Sequence, residues 1–365
     1  MTLRLGIDTG GTFTDFVRIS GDELVVHKVR STPADPSRAI LAGITDLVVA
    51  GRTAEVVHGS TVATNAVLER KGARVALVAT AGFEDVLRIG RQTRPELYNI
   101  FVPAPRPIVD AGLTFGIGER LDADGVELEP VDEAGLGPVF EALASGRAEI
   151  AAVCLLHAYA NPDHEQQVAH RLREGGWPVS ASHEVLPEYR EYERWSTTVV
   201  NAYVTPLIDR YLGRLEAELG STRLSIMQSN GGSISAAAAR AQAVRTVLSG
   251  PAAGVVGARA VARAAGFKRI IAFDMGGTST DVSLVDDAIA TTTDSKIGDF
   301  PVRLPVIDIH TVGAGGGSIA DIDTGGALRV GPESAGADPG PVCYDRGNEI
   351  PTVMDCAVVS GLINP

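Results

Sequence analysis

The sequence predicts an α/β fold built from two related domains. Two observations lead there. Short apolar runs alternate with helix-period stretches along most of the chain. One eight-residue turn, D-x-G-G-T-x-T-D, is also written twice, from Asp8 and from Asp274.

The first elements follow from pattern. "LRLGI" (3–7), "FVRIS" (16–20) and "LVVHKV" (24–29) read as three strands of a meander, the first two joined by the repeated turn. Residues 35–50 have helical spacing with a proline near the start. "AEVVHGS" reads as a strand, 61–72 as a helix stopped by Gly72, "RVALVAT" (74–80) as a buried strand and "GFEDVLRIG" as a short helix. Residues 91–130, rich in proline, read as an irregular segment or inserted lobe. From 131 the alternation resumes: helix 131–145, strand 149–156, helix 162–174 and strand 178–182. Then come a long helix over 194–219 with an expected kink at Pro206, strand 223–229, helix 251–266 and strand 269–273 into the second turn. The expected domains are 1–90 with the first hairpin, 91–240 as an inserted and continuing region, and 241–365 with the second hairpin. The last is read as incomplete at its C-terminal end.

Bulk properties exclude several classes. The 365 residues allow two or three domains, and 45% hydrophobic with 21% charged residues is ordinary for a globular protein. The net charge of −13 without a basic block argues against a nucleic-acid or anionic-membrane surface. Cys154, Cys343 and Cys356 are odd in number and widely spaced, which excludes a disulfide framework and a zinc ribbon. No signal-peptide pattern and no run of 18 apolar residues occurs, so the expected location is the cytosol.

A single D-x-G-G-T turn could be an ordinary hairpin. Two copies, each after an apolar strand, ask for chemistry. Glycines expose consecutive N–H groups, which makes a concave anion site from Gly10 and Gly11 and from Gly276 and Gly277. Hydroxyls of Thr12, Thr14 and Thr278 add donors for phosphate oxygens. An aspartate at the strand end implies an intervening cation, most simply Mg²⁺ reached through water by Asp8 and Asp274. The expectation is one nucleotide, ATP, gripped by both hairpins. No P-loop is present. "GAGGGS" (313–318) departs from a dinucleotide fingerprint at Ser318. It reads as a glycine loop, with Gly313, Gly315 and Gly316 closing on the nucleotide, or as a bland glycine-rich turn.

Paired phosphate hairpins on duplicated α/β domains resemble the actin, heat-shock ATPase and sugar-kinase superfamily. More narrowly, the chain resembles the hydantoinase A / 5-oxoprolinase family, which includes the acetone carboxylase β subunit. The stretches that carry it are "GIDTGGTFTD" (6–15), "HGSTVATNA" (58–66), "GFEDVLRIGRQTRPELYN" (82–99) and "LPEYREYERWSTTVVNAYVTP" (186–206). "MQSNGG" (227–232), "LSGPAAGVVGA" (248–258), "FDMGGTSTDVSLV" (273–285) and "HTVGAGGGSIA" (310–320) complete the match. The resemblance implies duplicated actin-like (ribonuclease H-like) ATPase domains with a nucleotide cleft between them. It implies ATP-dependent phosphorylation of the carbonyl of hydantoin, 5-oxoproline or a lactam, with ring opening completed by a hydantoinase B-like partner in a hetero-oligomer. The superfamily's adenosine motif is not found before residue 365. Three alternatives remain open: an acetone-carboxylase-type subunit, a conformational ATPase, and a sugar kinase, although a sugar kinase lacks the stretches at 58–66 and 186–206.

Further candidates are weaker. His58 at a strand end, with Thr61, Thr64 and Asn65 on the following helix, suits an anion or carbonyl, or else a capped helix beside a structural histidine. The resemblance favours a substrate role for His58, Thr61 and Asn65. "SGPAAG" (249–254) opens another helix, and its small residues are equally explained by close packing. Arg88, Arg91 and Arg94 could clamp an acidic substrate or phosphate, with Arg91 the candidate substrate residue, or belong to a solvated loop or a subunit interface. Asp308 and His310 share a strand face and read as a hydrogen-bonded structural pair.

Overall fold

Alternation along β1 (Leu3–Thr9) puts Leu3, Leu5, Ile7 and Thr9 on one buried face, as a period of two requires. The chain turns back into β2 (Phe13–Ser20) and again into β3 (Glu23–Arg30), an antiparallel meander. Helix α1 (Pro36–Leu47) has a proline in its first turn, where a missing N–H costs nothing. It leads into β4 (Ala54–Ser60), parallel to β1. The computed structural model describes residues 3–10, 13–21, 23–32, 35–48, 54–93, 98–99, 101, 106–220, 222–336 and 338–364.

Helix α2 (Val62–Leu68) precedes β5 (Val75–Thr80), buried along its length, which begins a second sheet. After α3 (Val86–Ile89), β6 (Thr114–Ile117) pairs parallel with β5. This strand lies inside the region read as irregular, because four residues are too few to show a period. Its partner, not its sequence, makes it a strand. A small antiparallel pair follows, β7 (Arg120–Leu121) with β8 (Glu127–Glu129). Then α4 (Gly137–Ala144), β9 (Ile150–Cys154), α5 (Asp163–Glu174) and β10 (Val179–Ala181) complete the order β10-β9-β5-β6.

Helix α6 (Ser182–Val185) leads to α7 (Glu191–Leu219), which is buried without interruption from Arg194 to Val204. The first half of α7 meets the second sheet: Arg194 donates to the Leu155 carbonyl at 2.7 Å and Asn201 to Ser180 at 2.9 Å. Its second half meets the first sheet, where Tyr211 and His58 lie 2.6 Å apart. A helix enclosed on several sides carries no single apolar stripe. It runs on through Pro206 to Leu219. β11 (Arg223–Met227) then lies parallel to β4, β12 (Ser233–Ser235) closes the edge, and the first sheet reads β12-β11-β4-β1-β2-β3.

The chain divides into two units: Met1–Ser249 with Thr292–Val306, and Gly250–Thr291 with Ile307–Pro365. In the second unit, α8 (Ser249–Ala264) precedes the antiparallel pair β13 (Arg269–Met275) and β14 (Thr280–Asp286). His310–Val312 extends that sheet, and Ser318–Ile322 pairs with Leu328–Ser334. The buried cluster here is small, formed by Ala252, Val255, Ala272, Val285 and Ile307. Ile271, Phe273 and Leu284 are 67%, 63% and 66% exposed.

The segment 292–306 was not legible as a separate piece. It forms a hairpin of Ser295–Ile297 with Phe300–Val302 that returns to the first unit. Ser196 Oγ donates to the Pro301 carbonyl at 2.7 Å, the Arg303 amide donates to Thr197 Oγ1 at 3.0 Å, and Arg70 stacks over Phe300. Among the described residues no helix is long and apolar enough to cross a membrane.

Candidate functional site

The repeat in sequence is a repeat in local geometry. Asp8 pairs across its ladder with Asp15, and Asp274 with Asp281. The amide of the first glycine donates to the carbonyl three residues on, Gly10 to Phe13 at 3.0 Å and Gly276 to Ser279 at 2.9 Å. A Cβ on Gly10 would stand 3.3 Å from the Phe13 oxygen, and one on Gly276 3.5 Å from the Ser279 oxygen. Gly11 and Thr12 lie outside the described residues.

The second hairpin is described throughout. The amides of Gly316 and Gly317 donate to the carbonyls of Gly276 and Gly277 at 2.9 and 2.6 Å, and the Gly315 amide donates to Ser318 Oγ at 2.9 Å. The glycine loop was expected to close on a nucleotide. Instead the donors of Gly315 and Gly316 are spent, and the loop backs the hairpin. Approach is close enough that a Cβ on Gly315 would sit 2.6 Å from the Gly277 oxygen. Gly313, with open space around it, has no such constraint.

This backing orients the turn. A trans peptide plane holds its N–H opposite its C=O. With the carbonyls of Gly276 and Gly277 turned to the loop, the amides of Gly277 and Thr278 turn the other way. Among the described residues neither amide has an acceptor. Asp274, Gly277 and Thr278 are all exposed. Two free amides and a strand-end carboxylate on one exposed turn can hold a metal-bound anion.

Thr14 corrects an expectation. It is fully buried, and its hydroxyl meets Ser31 Oγ at 3.0 Å instead of facing outward. The equivalent Thr280 is also buried and donates to the Ala314 carbonyl. Alternation could have shown this, since Thr14 shares a face with the core residue Phe16. The aspartates that close each repeat are likewise tied to neighbouring strands, Asp15 to Lys28 at 2.8 Å and Asp281 to the Thr311 hydroxyl at 2.6 Å.

The parallel strands β1, β4 and β11 bring Thr9, Ser60 and Met227 to one edge, the edge where open α/β sheets bind ligands. His58 lies behind it and is fully enclosed. Its Nε2 accepts from the Tyr211 hydroxyl, and its Nδ1 donates to the Ile7 carbonyl at 3.4 Å. Burial pushes its pKa down to about 4 and pushes Tyr211 up. A substrate role for His58 therefore gives way to a structural one. Thr61 Oγ1 donates to the Thr9 carbonyl at 3.1 Å, tying α2 to the first hairpin, while Asn65 remains exposed. Ser249 exchanges hydrogen bonds with the Ser60 backbone, which makes "SGPAAG" a packing joint.

Arg91 is committed elsewhere: its guanidinium grips Glu193 through two bonds of 2.8 and 2.6 Å. Arg88 pairs with Asp85, and Arg94 lies outside the described residues. Asp308 and His310 are 3.9 Å apart, the aspartate half-buried and the histidine exposed, too far for the hydrogen bond expected of them. Among the described residues no three or more His, Cys, Asp or Glu side chains gather as for a metal ion. Mg²⁺ commonly takes one or two carboxylates and completes its shell with water and phosphate. The exposed Asp274 carboxylate fits that donor chemistry.

Comparison with known proteins places the chain among relatives of one family. The family model described as Hydantoinase/oxoprolinase matches residues 194–365, and the Hydantoinase/oxoprolinase N-terminal region matches 4–176. Caprolactamase subunit alpha of Pseudomonas jessenii is 40% identical over 99% of this chain and 54% of its own length. 5-oxoprolinase 1 of Arabidopsis thaliana is 37% identical over 100% of this chain and 32% of its own. The crystal structure of the ATP-dependent caprolactamase from Pseudomonas jessenii aligns with a TM-score of 0.85 at 38% identity, over 99% of this chain and 55% of that one. A nucleotide-free acetone carboxylase structure aligns at 0.79 and 30% identity, also over 99% and 55%. The chain thus spans from about a third to just over half of the relatives it matches, and its two units share the actin-like ATPase type of fold with these structures.

Proposed function

The chain belongs to the hydantoinase/oxoprolinase family, and from that premise we propose that it is the ATP-handling part of an enzyme that opens small cyclic amides. The observation that carries the reading is the duplicated hairpin, alike in register and turn geometry, with two unpaired amides on its second copy. Gly277 and Thr278 would donate to phosphate oxygens, and Asp8 and Asp274 are the carboxylates that would hold Mg²⁺ through water. When bound, the metal neutralises charge on the phosphates.

An unstrained amide carbonyl is a poor electrophile. In the proposed reaction its oxygen attacks the γ-phosphorus of ATP, the bond to the β-phosphate oxygen breaks, and ADP leaves. The ring carbon becomes electrophilic. Water adds to it, the ring C–N bond breaks as nitrogen takes a proton, and a second water cleaves the resulting acyl phosphate to carboxylate and phosphate. The hydrolytic steps are assigned to a partner subunit or domain of the hydantoinase B kind. The acetone carboxylase match supports a second reading, in which a ketone enolate or bicarbonate is the phosphoryl acceptor.

The test is ATP turnover by the complete, partner-bound protein with hydantoin, 5-oxoproline, simple lactams, or acetone with bicarbonate. A cyclic amide should stimulate turnover and be opened. Asp8→Asn and Asp274→Asn should fold and lose turnover by several orders of magnitude. Near-normal turnover by both variants at ordinary Mg²⁺ would remove the hairpins from the mechanism, and stimulation by acetone alone would select the second reading.

A further inference from the structure

The two hairpins are fastened at equivalent points by unrelated pieces of chain. In the second, the carbonyl of the first glycine, Gly276, accepts from the Gly316 amide at 2.9 Å. In the first, the carbonyl of the equivalent Gly10 accepts from Ser31 Oγ at 2.8 Å. The second threonine of each repeat is fastened too, Thr14 to Ser31 and Thr280 to the Ala314 carbonyl. Ser31 follows β3, and 314–316 belongs to the glycine loop, so the repeat itself supplies neither fastening.

Proton counting fixes the direction in the first hairpin. Ser31 has one hydroxyl hydrogen, and it goes to the Gly10 carbonyl. Thr14 must therefore donate to Ser31, which gives a relay from Thr14 through Ser31 to Gly10. Such chains polarise one another. The carbonyl they hold belongs to the glycine that opens the turn, so its orientation sets that of the peptide plane.

We infer that Ser31 and the 313–318 loop are positioning elements that fix the first-glycine peptide of each phosphate turn, each with a different donor. Neither touches the nucleotide. The inference rests on the phosphate-binding reading given above. It adds that the geometry of each turn is imposed from outside the repeat, by one hydroxyl on one side and by two backbone amides on the other. Gly315 and Gly317 are then glycines because a Cβ at either would stand 2.6 or 2.9 Å from the Gly277 oxygen.

The experiment uses the full-length, partner-bound protein and measures kcat and KM for Mg-ATP and for the organic substrate, with thermal unfolding alongside. Ser31→Ala should raise the KM for ATP about fivefold, the size of one hydrogen bond, and leave the KM for the organic substrate unchanged, with a modest fall in Tm because the buried Thr14 hydroxyl also loses its acceptor. Ser31→Thr keeps the hydroxyl and should restore it. Gly315→Ala should displace the second turn and cost on the order of a hundredfold in kcat/KM for ATP. If that variant does not fold, the Ser31 pair still decides. Unchanged ATP kinetics in Ser31→Ala, with turnover collapsed in Asp8→Asn, would overturn the positioning role while leaving the ATP reading intact. A rise in both KM values, in parallel with the fall in Tm, would make Ser31 merely structural. Near-normal turnover in both Asp8→Asn and Asp274→Asn would instead overturn the ATP reading itself, and this inference with it.

Discussion

Two enclosed histidines titrate in opposite senses. Burial drives His58 to about 4, opposed only by its bond to the Ile7 carbonyl. Its folded pKa lies below the ordinary value of 6.5, so the unfolded chain takes up a proton first as pH falls. Between those two values stability should drop by about 1.4 kcal/mol per pH unit from this group. Denaturant unfolding of the full chain at pH 7.5 and 5 checks this, and His58→Gln should remove that share of the slope. For His164, burial lowers the pKa, but hydrogen bonds to Glu119 at 2.7 Å and Glu127 at 3.0 Å raise it on balance. Its contribution is complete below the ordinary pKa and fades as pH rises through the raised one. Neither residue's role was readable from type and position alone. The strand parity that places His58 beside the buried Val56 and Ser60 carried the clue.

At the scale of elements, what could be read was what is periodic. The meander β1 to β3, α1 and β4 follow from alternation and helical spacing, and the two turns follow from their repetition. What could not be read depends on a distant partner: β6, the returning segment 292–306, and the fastening of each turn by Ser31 or by the glycine loop. Ser31 has no local signal, because a serine after a strand is an ordinary turn residue. The returning hairpin carries no local signal of where it docks, yet its seat on α7 is specific. Thr197 is buried, donates to the Glu193 carbonyl at 2.7 Å and accepts from the Arg303 amide. Thr197→Val keeps the shape and leaves that amide without its acceptor, so the full chain should lose about 1–3 kcal/mol, read as a lower urea midpoint at an unchanged slope.

At the scale of the whole molecule, the two units differ in how much they bury. The first holds nearly all the large enclosed side chains, whereas the second has a short apolar cluster and an open row of Ile271, Phe273 and Leu284. Connectivity compensates. The chain leaves the first unit at Ser249, re-enters at Thr292 and leaves again after Val306. Residues 250–291 are therefore a loop whose two ends are both fixed to the better-packed unit. Closing such a loop removes freedom that an independent tail would keep, and the cost of ordering it falls accordingly. Release of the 292–306 hairpin restores that freedom all at once. The weaker unit should consequently borrow cooperativity from the stronger: unfolding followed by two probes, one in each unit, should give coincident transitions in the wild type. In Thr197→Val, which loosens the clasp, the second unit's transition should separate and move to lower denaturant.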